Sequence, residues 1–457
     1  MSQSKRFVFV SALLVLALVT AGFGQAGDPE AAAAVAGGTP GYSRVAPIPY
    51  DHTQLPQFTI GSSTVLDMSG AVVGAGGNGP SGPSNNAGIT SSGILGGVIP
   101  GLDTVPTFDG AFFAQAGPSS SSTRLWRFSV IGRDPVRGGT TTIPMMISEV
   151  SLQLLNADGS VFKVVDFAPF DDLTEDSPNF SFTDYRSGHH IQLQDAIQRA
   201  EFFHGRGEDW HTNLRHRVVN KVTITVPFFV NIQLSNGTII QARSYFTGTA
   251  ADGSTFVLML SPLFNFFFDN EVVNEINLGN FDNHAMNMTL FPNTYLFNLN
   301  VNNPNVPGGC CVLGFHTYFL DSSAVPQPRW VTQYASWISP GLFGAGFQDV
   351  TALSHETSEA FNDPFVDNAT PNWQFPGVPA NAKVCQNNLE TGDPVEVLAN
   401  ATVPIFVRER HEIFTYHPQN EALIQWFEMG TTSDAIDGAF SFPDETVLPH
   451  SALPCPQ

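Results

Sequence analysis

Residues 140–165 read TTTIPMMISEVSLQLLNADGSVFKVV, and the fold is decided by how this stretch is read. Residues 140–147 are β-branched and extended in character. Residues 150–155 then face 161–165 across Asn156, Ala157, Asp158 and Gly159, a turn sequence between two apolar runs. A strand, a turn and a returning strand are expected. Working outward, 125–131, 218–226, 228–234, 238–246, 256–260 and 288–298 repeat the pattern, with Asn236 and Gly237 as another turn. Together they predict an α+β chain with a β-rich, antiparallel, sandwich-like body. One helix, 193–204, interrupts it, because Leu193, Ile197 and Ala200 recur at helical spacing. Glu201 and His204 on that helix, with His211 and His216 behind it, read as a polar packing network in preference to a metal site.

Composition narrows the class. A charged fraction of 13% with 38 Phe, 41 Gly and 33 Pro fits β-structure with long uncharged loops. The net charge of −22 repels phosphate backbones and anionic membranes, which excludes nucleic acid as a partner. Residues 1–26 open with MSQSKR, continue with an apolar run over 7–19 and end in small residues, the order of a secretory signal peptide. That run is too short for a membrane span, so a secreted product, extracellular or associated with the cell envelope, is expected. Residues 27–123 are a Gly/Ser/Pro-rich low-complexity segment, and its GAGGNG at 74–79 lacks the strand and helix that a dinucleotide loop requires. A β-rich domain over 124–301 and an α+β region over 302–457 complete the expected organisation.

Chemistry concentrates in the last region. Residues 349–364, DVTALSHETSEAFNDP, combine a helix signal with metal-capable side chains. Asp349 or Thr351 can cap the start, and Pro364 stops the helix. His355 and Glu359 lie four residues apart on one face, as in HExxH zinc hydrolases but with Glu for the second His. Glu356 is the candidate catalytic base. A third zinc ligand is expected from Glu390, Asp393, Asp363 or His316. Calcium is the alternative ion, since carboxylates suit a hard cation. The 4 cysteines, at 310, 311, 385 and 455, predict disulfides. A bond between the neighbours Cys310 and Cys311 needs a strained ring, so one or both are expected to reach Cys385 or Cys455. Trp330, Trp337 and Trp373 offer aromatic surface for a sugar, with core packing the stronger expectation for each.

The GFH strand at 314–316, the YASWI strand, the HETSEAFNDP helix, Trp373 and the ETGDP segment follow one another in an order that resembles the exordium or phosphate-induced protein family of plants and its secreted bacterial relatives. The likeness covers about 308–396. It implies an extracellular location and a linked site at His355, Glu356, Glu359 and Asp363. A secreted zinc-dependent hydrolase of the metallopeptidase kind, acting on an extracellular peptide or polysaccharide, is the expected function. The alternative is a non-catalytic binding or envelope protein with a calcium-type site.

Overall fold

The computed structural model describes residues 57–59, 102–115, 123–185, 190–234, 236–321, 324–343, 346–377, 385–409 and 412–455. The expected signal peptide and the GAGGNG loop lie outside them.

Residues 140–165 form one long strand, Thr140–Leu155, which turns at Asn156–Gly159 into Val161–Val165 as expected. It forms the middle of an eight-stranded sheet, and here the expectation of an antiparallel sandwich fails. Thr140–Leu155 runs parallel to His211–Val226 and to Met286–Pro292, which in turn runs parallel to Gln327–Phe343. Parallel neighbours need long crossovers, and the helices Leu193–Glu201 and Ser261–Leu278 lie in those crossovers. Only the outer pairings, Gly314–Leu320 with Gln327–Phe343 and Val161–Val165 with Thr140–Leu155, are antiparallel within this path. The sheet draws strands from both sides of the boundary expected at 301/302.

Alternation along the strands gives the sheet two working faces. Ile143, Met145 and Ile147 point to the same core as Met288, Val331 and Ala335, and the helices Leu193–Glu201 and Thr351–Asn362 cover that face. Val150, Leu152 and Leu154 point the other way, with Trp330, Tyr334 and Phe315, under Phe264 and Phe268 of the Ser261–Leu278 helix. That helix was not anticipated: its run of phenylalanines has no polar stripe, although Pro262 at its start and the left-handed Gly279 at its end (φ 74°) mark its bounds. One expected strand divides. Asn293, at φ 44°, breaks 288–298 between the central sheet and a four-stranded sheet. Leu313 separates Pro307–Val312 from Gly314–Leu320.

Cysteine pairing also departs from expectation. Cys310 bonds to Cys311 across a cis peptide that brings their Cα atoms to 3.0 Å, so the neighbours meet without reaching elsewhere. Cys385 bonds to Cys455 and ties the tail to the strand that precedes Glu390. Among the described residues no helix is long and apolar enough to cross a membrane.

Candidate metal centre

The Thr351–Asn362 helix lies on the sheet with Leu353, Ala360 and Phe361 in the core. Neither expected residue caps it by a side-chain bond. Asp349 instead adopts φ 47°, accepts from the backbone N–H groups of Val350 (2.7 Å) and His417 (2.8 Å), and pairs with His417 Nδ1 at 2.7 Å. The helix start is thus held from a distant loop. Its end falls at Asn362, with Pro364 behind, as the sequence predicts.

Its functional face points at the strand Gly314–Leu320 and at the segment 390–393. His355 Nε2 lies 3.1 Å from Glu359 Oε1, 4.0 Å from Glu356 Oε1 and 3.8 Å from Asp393 Oδ1. Beneath them, His316 Nδ1 is 3.5 Å from Glu359 Oε2 and 4.0 Å from Glu356 Oε2, and its Nε2 is 3.9 Å from Glu390 Oε2. Two sets of potential ligands result, each with its donor atoms within 4.8 Å of one another: His355, Glu356 and Glu359, and separately His316, Glu359 and Glu390. Glu359 belongs to both. All these side chains are buried, with His355 the most open at 12%.

Asp363 does not join either set. Its Oδ1 accepts from the N–H groups of Asp367 and Asn368, both at 2.9 Å, and so closes the turn that follows the helix. Asp393 sits at the rim beside His355, and its Oδ2 accepts from Gln386 Nε2. The residues of the Glu201 region are paired within the protein. The helix stops at Glu201, short of His204; Glu201 Oε1 accepts from Asn362 Nδ2, while His211 pairs with Asp195 and His216 with Glu175. Trp330 and Trp373 are core residues, and Trp337 stacks on Phe170 at 5.1 Å.

Several contributors carried no signal of their own. A Cβ on Gly314 would lie 2.5 Å from Cγ of Glu356, and one on Gly392 would lie 2.5 Å from Nδ1 of His355, so both glycines leave room for the site. Gly392 and Asp393 also donate their backbone N–H groups to Glu359 Oε1, at 3.1 and 3.3 Å. Glu421 is fully buried and acts electrostatically on His355 and Glu359. The only hint of the glycines is their place, one beside His316 in GFH and one inside ETGDP.

The histidines and carboxylates of the cluster shift one another's titration. Burial alone would depress the His355 imidazole, but Glu359 and Glu356 outweigh it and hold His355 well above the usual histidine range. Burial likewise raises Glu359, yet His355 and His316 overcome this and hold it at about 2. Glu201 is pushed up to about 8 by burial, and Glu421 and Asp363 are raised well above the carboxylate range for the same reason. Comparison with family models, with curated proteins and with solved structures finds no match for this chain.

Proposed function

We propose that this protein is a secreted zinc-dependent hydrolase of the metallopeptidase kind, with His355 and Glu359 as ligands and Glu356 as the base. The supporting observation is the convergence of His355 Nε2 and Glu359 Oε1 to 3.1 Å from adjacent turns of one helix, with the Glu356 carboxylate beside them, its Oε1 4.0 Å from His355 Nε2. A zinc ion there would polarise a scissile carbonyl and lower the pKa of water. Glu356 would take the proton of the attacking water and return it to the leaving amine, and the missing Cβ of Gly314 leaves its carboxylate room. Asp393 and the N–H groups at 392–393 orient His355 and Glu359 from the opposite wall. The signal-like residues 1–26, the cysteine pairs and the likeness of 308–396 to the exordium family support the secreted assignment. Peptide is preferred to polysaccharide as substrate, since Trp330 and Trp373 are committed to the core.

Elemental analysis of the mature chain, with a peptide-library cleavage assay, tests this reading. Zinc is expected in the wild type, lost in His355→Ala and kept in Glu356→Gln. Cleavage should fall roughly 10²- to 10⁴-fold in Glu356→Gln. A zinc-free wild type, or Glu356→Gln cleaving at the wild-type rate, would sink it. Burial of the site favours a second reading, a non-catalytic binding or envelope protein in which the carboxylates hold calcium. That reading requires calcium to raise the unfolding temperature while no library peptide is cut.

A further inference from the structure

We propose that Gln419 is a positioning residue for the metal centre: it fixes the 391–393 turn and, through that turn, the carboxylate of Glu359. The inference rests on the metal-centre reading and deepens it. Glu359 comes from the Thr351–Asn362 helix, whereas the turn and Gln419 come from two later segments, so their meeting has to be held.

The turn meets Glu359 with two successive peptide groups. The N–H groups of Gly392 and Asp393 both donate to Glu359 Oε1, at 3.1 and 3.3 Å. Successive N–H groups aimed at one point form a small anion-binding concavity. Each of these peptides is also bonded on its carbonyl side. Ala422 N–H donates to the carbonyl of Thr391 at 2.8 Å, and Gln419 Nε2 donates to the carbonyl of Gly392 at 2.6 Å. Hydrogen bonds in series through one peptide polarise it, so the outer donors strengthen the N–H groups that face Glu359. The Ala422 bond comes from backbone alone, but the Gln419 bond depends on its side chain. A carbonyl oxygen only accepts, so the amide nitrogen of Gln419 has to face it, and an apolar residue cannot replace it.

Gln419 is itself tied to the ligand helix. Its backbone N–H donates to Ser354 Oγ at 2.8 Å, one residue before His355, and Ser354 Oγ donates on to the carbonyl of Thr351 at 2.8 Å. Ser358 Oγ and Thr391 Oγ1 lie 3.2 Å apart and join the turn to the helix a second time. The path therefore closes on itself, from the helix at Ser354 through Gln419 and Gly392 back to the helix at Glu359. Gln419, Ser354, Ser358 and Thr391 are 0–1% exposed, so bulk water does not stand by to replace a lost bond. A carboxylate held in this way needs no further ordering when it ligates, and hydrogen bonds behind a ligand raise metal affinity for that reason.

Zinc affinity of the mature chain, measured by competition with a chromophoric chelator, tests the proposal. Gln419→Met keeps the size of the side chain and removes the donor, and its zinc Kd is expected to rise roughly 10- to 100-fold. Gln198→Met is the matched control, because Gln198 is also 1% exposed and donates to the carbonyl of Ile131 at 2.8 Å. Both variants should lower the urea midpoint. Only Gln419→Met should weaken zinc and shift the visible spectrum of the cobalt(II)-loaded chain. A wild-type Kd and spectrum in Gln419→Met, or an equal loss in Gln198→Met, would overturn the positioning role and leave the metal centre standing. A wild type that binds no zinc would overturn the metal centre and the role with it. Should Gln419→Met not fold, amide exchange of the zinc-free wild type decides: slow exchange at Gly392 and Asp393 supports the clamp, and exchange at the rate of an unbonded amide overturns it.

Discussion

Two clusters in this molecule gather potential ligand atoms at the same spacing and differ in the groups that pair with their carboxylates. Glu149, Asp171 and Glu175 bring carboxylate oxygens within 4.8 Å of one another, as the residues around Glu359 do. In the first cluster the partner is a lysine, which cannot ligate a metal while it carries its proton. Lys221 stands opposite Glu149 in the parallel pairing of Thr140–Leu155 with His211–Val226, places Nζ 3.0 Å from Glu149 Oε2, and also pairs with Asp171. Around Glu359 the ion pairs of Glu356, Glu390 and Asp393 run instead to His316 and His355. Spacing of carboxylates alone therefore does not identify a metal site, and the groups that pair with them have to be counted as well.

The largest expected contrast is on chelation. With zinc at about a thousand times its Kd, removal should cost the fold about 4 kcal/mol, read as a lower urea midpoint for the wild type. In His355→Ala/His316→Gln the midpoint should not respond to chelator, and a response there would move the ion to another site. A smaller effect concerns pH. Glu149 is pushed up to about 8 by burial and by Asp171, against an ordinary value of 4.5. A carboxyl raised in the folded state gives stability that is full below about 4.5 and is lost as pH rises through about 8. Glu149→Gln should flatten that loss, on the order of 2 kcal/mol, in unfolding measured between pH 5 and 9. An unchanged slope would place the titration elsewhere. Least of all, Lys221→Met should cost about 1 kcal/mol, because the ammonium is 55% exposed and water screens its pairs. It should also confer weak calcium binding in equilibrium dialysis, and its absence would weaken the contrast drawn between the clusters.

The HETSE helix was legible because helix period and ligand spacing are both local: His355 and Glu359 share a face whatever surrounds them. His316 and Glu390 were legible as candidates but not as a separate pair. Their relation depends on how Gly314–Leu320 registers against Gln327–Phe343 and on where 390–393 folds back. Helical spacing says nothing of the turn at Asp367 and Asn368, whose N–H groups bind one oxygen of the Asp363 carboxylate. The strands were largely readable from their alternation. Their parallel order was not, since period 2 is the same in both directions and the Phe-rich Ser261–Leu278 crossover lacks a polar stripe.

Gly314 and Gly392 bear on how this chain tolerates change. One leaves space for Glu356 and the other for the His355 ring, so the chemistry on the helix is moulded by two positions that have no side chain. In a saturation scan scored by cleavage of a library peptide, alanine at either position should be as damaging as His355→Ala. Descendants of this chain could then vary widely over the surface of the 314–320 strand and the 390–393 segment, while these two places admit a single residue.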